Sequence, residues 1–224
     1  MLNPKNEKYS KEYLRENINI LDGNEVYRVT DVLKCHCNPE IKEEPVFLSE
    51  LLNKPEYEGT ILREYIEKSK KPFDYKLMKE IIESHMYKIE PYDDNHVLVH
   101  IRSGDDLNNR GLGNKRNFAM FLSVILKKIP LDKIVVIVTT MHYGHAEYES
   151  IYNVSGWTYS EESRNKNIDY LYKLIEKIPH EVKIQSSIDT DTDFMHLILS
   201  KNMYSLKSTG GFSIVVKTLH DLFR

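Results

Sequence analysis

Cysteine and tryptophan are among the scarcest residues of this 224-residue chain, with two of the first and one of the second. The two thiols, Cys35 and Cys37, flank His36. Cysteines one residue apart are poorly placed for an ordinary disulfide, and two thiols cannot build the bridged framework of a small secreted domain. A structural zinc site draws its ligands as two pairs, and no second pair accompanies Cys-His-Cys. Reduced thiols are expected, with no metal. Long apolar runs are also missing. Nothing approaches the roughly 20 residues that span a bilayer, and the opening MLNPKNEKYSKEYLREN has no apolar core of a secretion signal. A soluble, cytoplasmic protein without a membrane span is expected. Nor is there a basic excess. Lys and Arg number 31 against 34 Asp and Glu, a formal net charge of -3, so no nucleic-acid partner is expected. Neither an internal repeat nor a low-complexity segment occurs.

What is present is a globular composition, 41% hydrophobic and 29% charged, in a chain long enough to bury a good core in one or two domains. The second half alternates strand and helix patterns. Strands are predicted at His96–Arg102, Lys133–Thr139, Val182–Gln185 and Met203–Leu206. Helices are predicted at about Asn114–Lys128, Lys166–Lys177, Asp191–Ser200 and Gly211–Phe223. This rhythm implies parallel βαβ units, and unbroken runs such as VVIV suit strands covered on both faces. The first half reads as mainly helical, at Lys11–Asn19, Phe47–Leu52, Ile61–Lys68 and Tyr75–Tyr87, with one short strand at Glu25–Val29. The turn-rich Pro91–Asn95 leads into the first good strand. The expected architecture is therefore α/β. A reduced, mostly helical region at 1–95 precedes a Rossmann-like parallel-sheet domain at 96–224.

Two stretches carry chemistry. The first is HVLVHIRSGDD, His96–Asp106, a buried strand running into a polar turn. Ligands of open α/β sheets bind at the carboxyl ends of strands. Here that end offers His100, Arg102, Gly104, Asp105 and Asp106. The planar fork of Arg102 suits phosphate, and Gly104 lets the backbone come close to a ligand. The alternative for Arg102 is a structural ion pair with a nearby aspartate. The second stretch runs from Asp189 to Ser213. Asp191 or Thr192 is expected to cap the helix that opens with Asp193-Phe194. Further on, Ser208, Thr209, Gly210, Gly211, Phe212 and Ser213 link a strand to a helix. Hydroxyls, glycines and a helix amino terminus make a plausible phosphate cradle; the alternative is an ordinary capped turn. Loop residues His142 and His145 follow the second strand on the ligand side, as does Trp157.

Together the two stretches resemble a family. His-Ile-Arg-Ser-Gly-Asp at 100–105 resembles the H-x-R-x-G-D motif of the metal-independent fucosyltransferases, which comprise the α-1,2, α-1,6 and protein O-fucosylating groups. Asp193-Phe194, then Ser208-Thr209 and Phe212-Ser213, resembles a second motif of the α-1,2 group. Two glycines widen the serine-to-phenylalanine gap, and Ile214 and Val215 stand where tryptophans usually follow. The resemblance covers about 75–224. It implies the donor-binding half of a two-Rossmann, GT-B type architecture and inverting transfer of fucose from GDP-fucose to a glycan hydroxyl. It further implies Arg102, Ser208 and Thr209 at the diphosphate, His100 and Asp193 near the base, and Asp105 or Asp106 at the acceptor hydroxyl. No metal or other cofactor is expected; the Asp189, Asp191 and Asp193 series spells D-x-D but reads better as helix capping. The short 1–95 region implies that a reduced helical module replaces the family's second domain, that an oligomer or partner subunit completes the acceptor site, or that the chain binds nucleotide without transferring anything.

Overall fold

The computed structural model describes residues 4–22, 53–69, 74–105, 115–146, 157–205 and 211–224. Cys35 and Cys37 and the elements predicted at 25–29 and 47–52 lie outside the described residues.

Four parallel strands form the main sheet: β2 (His96–His100), β4 (Ile134–Val138), β6 (Glu181–Gln185) and β7 (Met203–Ser205). Their order across the sheet is β6-β4-β2-β7. In chain order that is third, second, first, fourth, which matches the first four strands of the Rossmann order. The direction of winding reverses between β2 and β7. β2 and β4 are rich in β-branched residues and are buried on both faces, as covered parallel strands must be.

A smaller parallel sheet continues the main one at its carboxyl end, in the order β1 (Ile20–Leu21), β5 (Met141–His142), β3 (Ser103–Gly104). β3 and β5 are β2 and β4 resumed after a two-residue break. Across that break Ile101 N–H donates to the Val138 carbonyl at 3.0 Å. The strand predicted to reach Arg102 therefore ends at His100, where the chain turns. β1 stands beside β5 as β6 stands beside β4; Met141 N–H donates to the Asn19 carbonyl at 2.9 Å.

Two cores sandwich the main sheet. On one face Val97, Val99, Val135 and Ile137 meet α1 (Lys11–Asn17), α4 (Lys115–Lys128) and α5 (Glu161–Lys177). On the other, Leu98, Val136 and Val138 meet α2 (Ile61–Lys68), α3 (Tyr75–His85), α6 (Thr190–Leu199) and α7 (Gly211–Leu222). The expected boundary at 95/96 is therefore no break in packing. α2 and α3 close the second core, while α1 and β1 join the first. α5 begins five residues before its predicted start because Ser160 Oγ accepts the Ser163 N–H at 3.1 Å, a cap ahead of a polar first turn. α3 stops at His85 and yields to a 3-10 turn at Met86–Lys88. Among the described residues no helix is long and apolar enough to cross a membrane.

Candidate functional site

The carboxyl ends of β2 and β4 open into a cavity lined by His100, Val138, Thr140, His142, Asp189, Asp193, Leu197 and Phe212. Five residues singled out in the sequence, His100, His142, Asp189, Asp193 and Phe212, thus meet from the ends of β2 and β5 and the starts of α6 and α7. The His100 ring lies 4.9 Å from that of Phe212, tilted by 49°. Its nitrogens meet no hydrogen-bond partner among the described residues. Burial first, and then the charge of Arg102, push its pKa down to about 3. The ring is therefore neutral at physiological pH, with one nitrogen donating and one accepting.

Asp193 faces the same cavity, but its carboxylate is already engaged. Oδ2 accepts from Thr140 Oγ1 at 2.6 Å; Oδ1 accepts from Ser187 Oγ at 2.9 Å and Gln185 Nε2 at 3.2 Å. Desolvation raises its pKa, and the three side-chain hydrogen bonds oppose that shift. Behind it, Tyr92 Oη donates to Gln185 Oε1 at 3.0 Å. Asp193 thus fastens the first turn of α6 to the ends of β4 and β6.

The neighbouring aspartates have separate tasks. Asp189, not Asp191 or Thr192, is the N-cap of α6; its Oδ1 accepts Thr192 N–H at 2.7 Å. Asp191 caps a different helix, accepting the Ile61 N–H that opens α2 at 2.8 Å. Burial, the largest cause, lifts the Asp191 carboxyl to about 6. Three aspartates serving three partners do not converge as ligands, and among the described residues no group of His, Cys, Asp and Glu is placed to hold a metal.

Arg102 sits on the turn between β2 and β3, beside the cavity residue His100. Its Nη2 straddles the two oxygens of Asp105 at 3.3 and 3.4 Å. The ion pair weighed in the sequence is therefore formed. Asp105 is 1% exposed, so it faces Arg102 inside the protein and is not presented to an acceptor. Asp106 lies outside the described residues. Gly104 has φ of +94°, and a Cβ there would stand 2.1 Å from the His142 carbonyl oxygen. The close approach expected of this glycine is made to β5 rather than to a ligand. Phe194 is fully buried in the second core and is a packing residue, not a ligand contact.

Of the phosphate-cradle residues, Ser208, Thr209 and Gly210 lie outside the described residues. Gly211 opens α7, Phe212 lines the cavity and Ser213 is buried. His145 is half-buried and does not line the cavity; Trp157 packs at the edge of the second core. Sequence reasoning missed Thr140, Leu197 and Asn167. Asn167 carried a signal: with Leu171 and Leu174 it falls on the apolar face of α5, where a polar residue needs partners. Compared with family models, curated proteins and solved structures, the chain matches none.

Proposed function

We propose that this chain is a glycosyltransferase that takes a sugar, fucose, from a GDP-sugar and passes it with inversion to a hydroxyl of a glycan or similar acceptor. The observation that carries the reading is the Rossmann strand order with His100, Phe212 and the Arg102 turn all at its reversal. The base enters the cavity against Phe212 and Leu197, and neutral His100 hydrogen-bonds its edge. The diphosphate lies toward Arg102 and the amino terminus of α7, with Ser208 and Thr209 as further donors. The Arg102 guanidinium, shared with Asp105, and about half a charge at the helix end stabilise the departing diphosphate without a metal. The chain supplies the donor half of a GT-B arrangement, and an oligomer or partner subunit completes the acceptor surface.

One observation favours a second reading, nucleotide binding without transfer: Asp105 is buried against Arg102, which removes it as a base. The test is thermal melting with GDP, UDP and ADP, followed by release of GDP from GDP-fucose across an acceptor panel, with and without EDTA. Stabilisation by GDP above the others, with acceptor-dependent release that survives EDTA, supports the transferase. Equal shifts from all three nucleotides would remove the guanine assignment. GDP binding without release on any acceptor favours the second reading.

A further inference from the structure

The turn that carries Arg102 is pinned from the far side of the sheet by a single buried amide. Asn167, on α5, is fully buried. Its Oδ1 accepts the Gly104 N–H at 2.8 Å, and its Nδ2 donates to the Gly104 carbonyl at 3.1 Å. The second Nδ2 hydrogen goes to the Ser163 carbonyl at 2.8 Å, one turn back on α5. Both donors of the amide are used, so the side chain has one orientation. Only a neutral amide fits: it serves the carbonyl and the N–H of one residue and adds no charge beside Arg102.

Gly104 needs such a partner because of its left-handed backbone and its contact with β5. Upstream, Ile101 N–H is fixed to the Val138 carbonyl at 3.0 Å. Ser103 Oγ is fixed to Thr139 Oγ1 at 2.8 Å and to the Thr140 carbonyl at 3.2 Å. Arg102 is therefore held between anchored residues, and Asn167 supplies the anchor on the α5 side. A side chain needed only to stabilise its own helix would have no reason to reach both backbone polar groups of a residue in another element.

We infer that Asn167 is a positioning residue that sets where the Arg102 guanidinium points, and so tunes affinity for the diphosphate of the ligand. The inference rests on the nucleotide-diphosphate reading above. Its signature is selectivity. Loss of the clamp weakens GDP, which needs Arg102, and spares guanosine, which does not.

The experiment compares wild type with R102A, N167A, N167D and S163A by calorimetric titration of GDP and of guanosine, each variant first checked by its melt. R102A is expected to lower GDP affinity about 10- to 100-fold, the range for a hydrogen bond to a charged group, with guanosine unchanged. N167A should reproduce this selective loss. N167D keeps the acceptor for Gly104 N–H but turns a carboxylate oxygen on the two carbonyls the amide served, and should lose at least as much as N167A. S163A removes a buried contact of the same helix, Ser163 Oγ to Tyr143 Oη at 3.1 Å, and should change neither ligand. GDP affinity within about twofold of wild type in both Asn167 variants, while R102A loses it, overturns the inference alone. Equal loss of GDP and guanosine, or failure of both Asn167 variants to fold, makes Asn167 a core residue and overturns it too. No GDP binding by wild type, or no effect of R102A, overturns the underlying reading and the inference with it.

Discussion

Gly104 and His100 show how much a single position decides here. Alanine at 104 would have to adopt φ near +94° and place a methyl 2.1 Å from a backbone oxygen. The left-handed conformation alone costs about 1–2 kcal/mol, and a backbone overlap cannot be relieved by turning a side chain. Gly104→Ala is expected to lower the melting temperature by more than about 5 °C or to prevent folding; a melt within 1–2 °C of wild type would refute the close approach. The sequence marked Gly104 correctly as special but not its reason, because only the fold shows that β5 occupies the space. His100 makes a second prediction. With a folded pKa of about 3 against an ordinary 6.5, its ring stays neutral from pH 5 to pH 8, and its Cε1 proton should not titrate there by NMR. The linkage sign follows. Between pH 6.5 and about 3 the unfolded chain takes up a proton that the native ring refuses, so His100 erodes stability as pH falls through that window. A ring that titrates near 6.5 would mean the site is open and hydrated.

Among the elements, the first turn of α6 joins the two halves of the chain. Asp189 caps its own helix, Asp191 caps α2, and Asp193 ties β4 and β6. For Asp191 the sign opposes that of His100. Its carboxyl is lifted from 3.8 to about 6 by burial first, with Asp189 also raising it and the Ile61 N–H, Lys88 and His85 lowering it. Between about pH 4 and 6 the native state holds a proton that the unfolded chain has lost. The contribution therefore improves stability as pH falls through that window and is lost as pH rises past 6. Asp191→Asn keeps an oxygen for the Ile61 N–H and removes the charge, so it should melt higher than wild type at pH 7.5, with the difference vanishing near pH 4. Asp191→Ala should lose about 1 kcal/mol as a missing cap near pH 4 and less at pH 7.5, where it too removes the buried charge. A difference between Asn and wild type that does not change with pH would refute the assignment. Legibility follows from the same physics. The strands and the long helices of 96–224 were readable because burial on a face imposes period on a sequence. The capping partners were not, since Asp191 caps a helix 130 residues away in the chain, and no local spacing records that. At the site, His100, Asp193 and Phe212 were legible as types in order; Asn167 and Thr140 act through contacts that exist only once α5 and β4 pack.

For the whole molecule the decisive fact is that the helical residues before 96 complete the sheet rather than form a body of their own. Ile61, Leu62, Tyr65, Met78, Ile81 and Ile82 are buried against Leu98, Val136, Val138 and the faces of α6 and α7. Stripping them would expose the surfaces of α6 and α7 and leave one face of the parallel sheet to those two helices alone, and parallel sheets are found with both faces covered. Each such side chain is worth about 1.5–3 kcal/mol when fully buried, so the six together, about 9–18 kcal/mol, are as large as the whole 5–15 kcal/mol by which a typical domain is stable. Residues 96–224 expressed alone, the stretch that carries every motif residue, are therefore expected not to reach a cooperative native state. They should lack a sharp thermal transition, expose apolar surface to a dye and fail to bind GDP even where the full chain binds it. Adding the 53–95 segment in trans should restore at least part of the transition, because its contacts to α6 and α7 are packing contacts that need no covalent link. A well-folded 96–224 fragment with a sharp melt would show that the second core closes without α2 and α3. The helical region would then be an independent module, free to serve the acceptor side of the proposed reaction instead of the stability of the parallel-sheet domain.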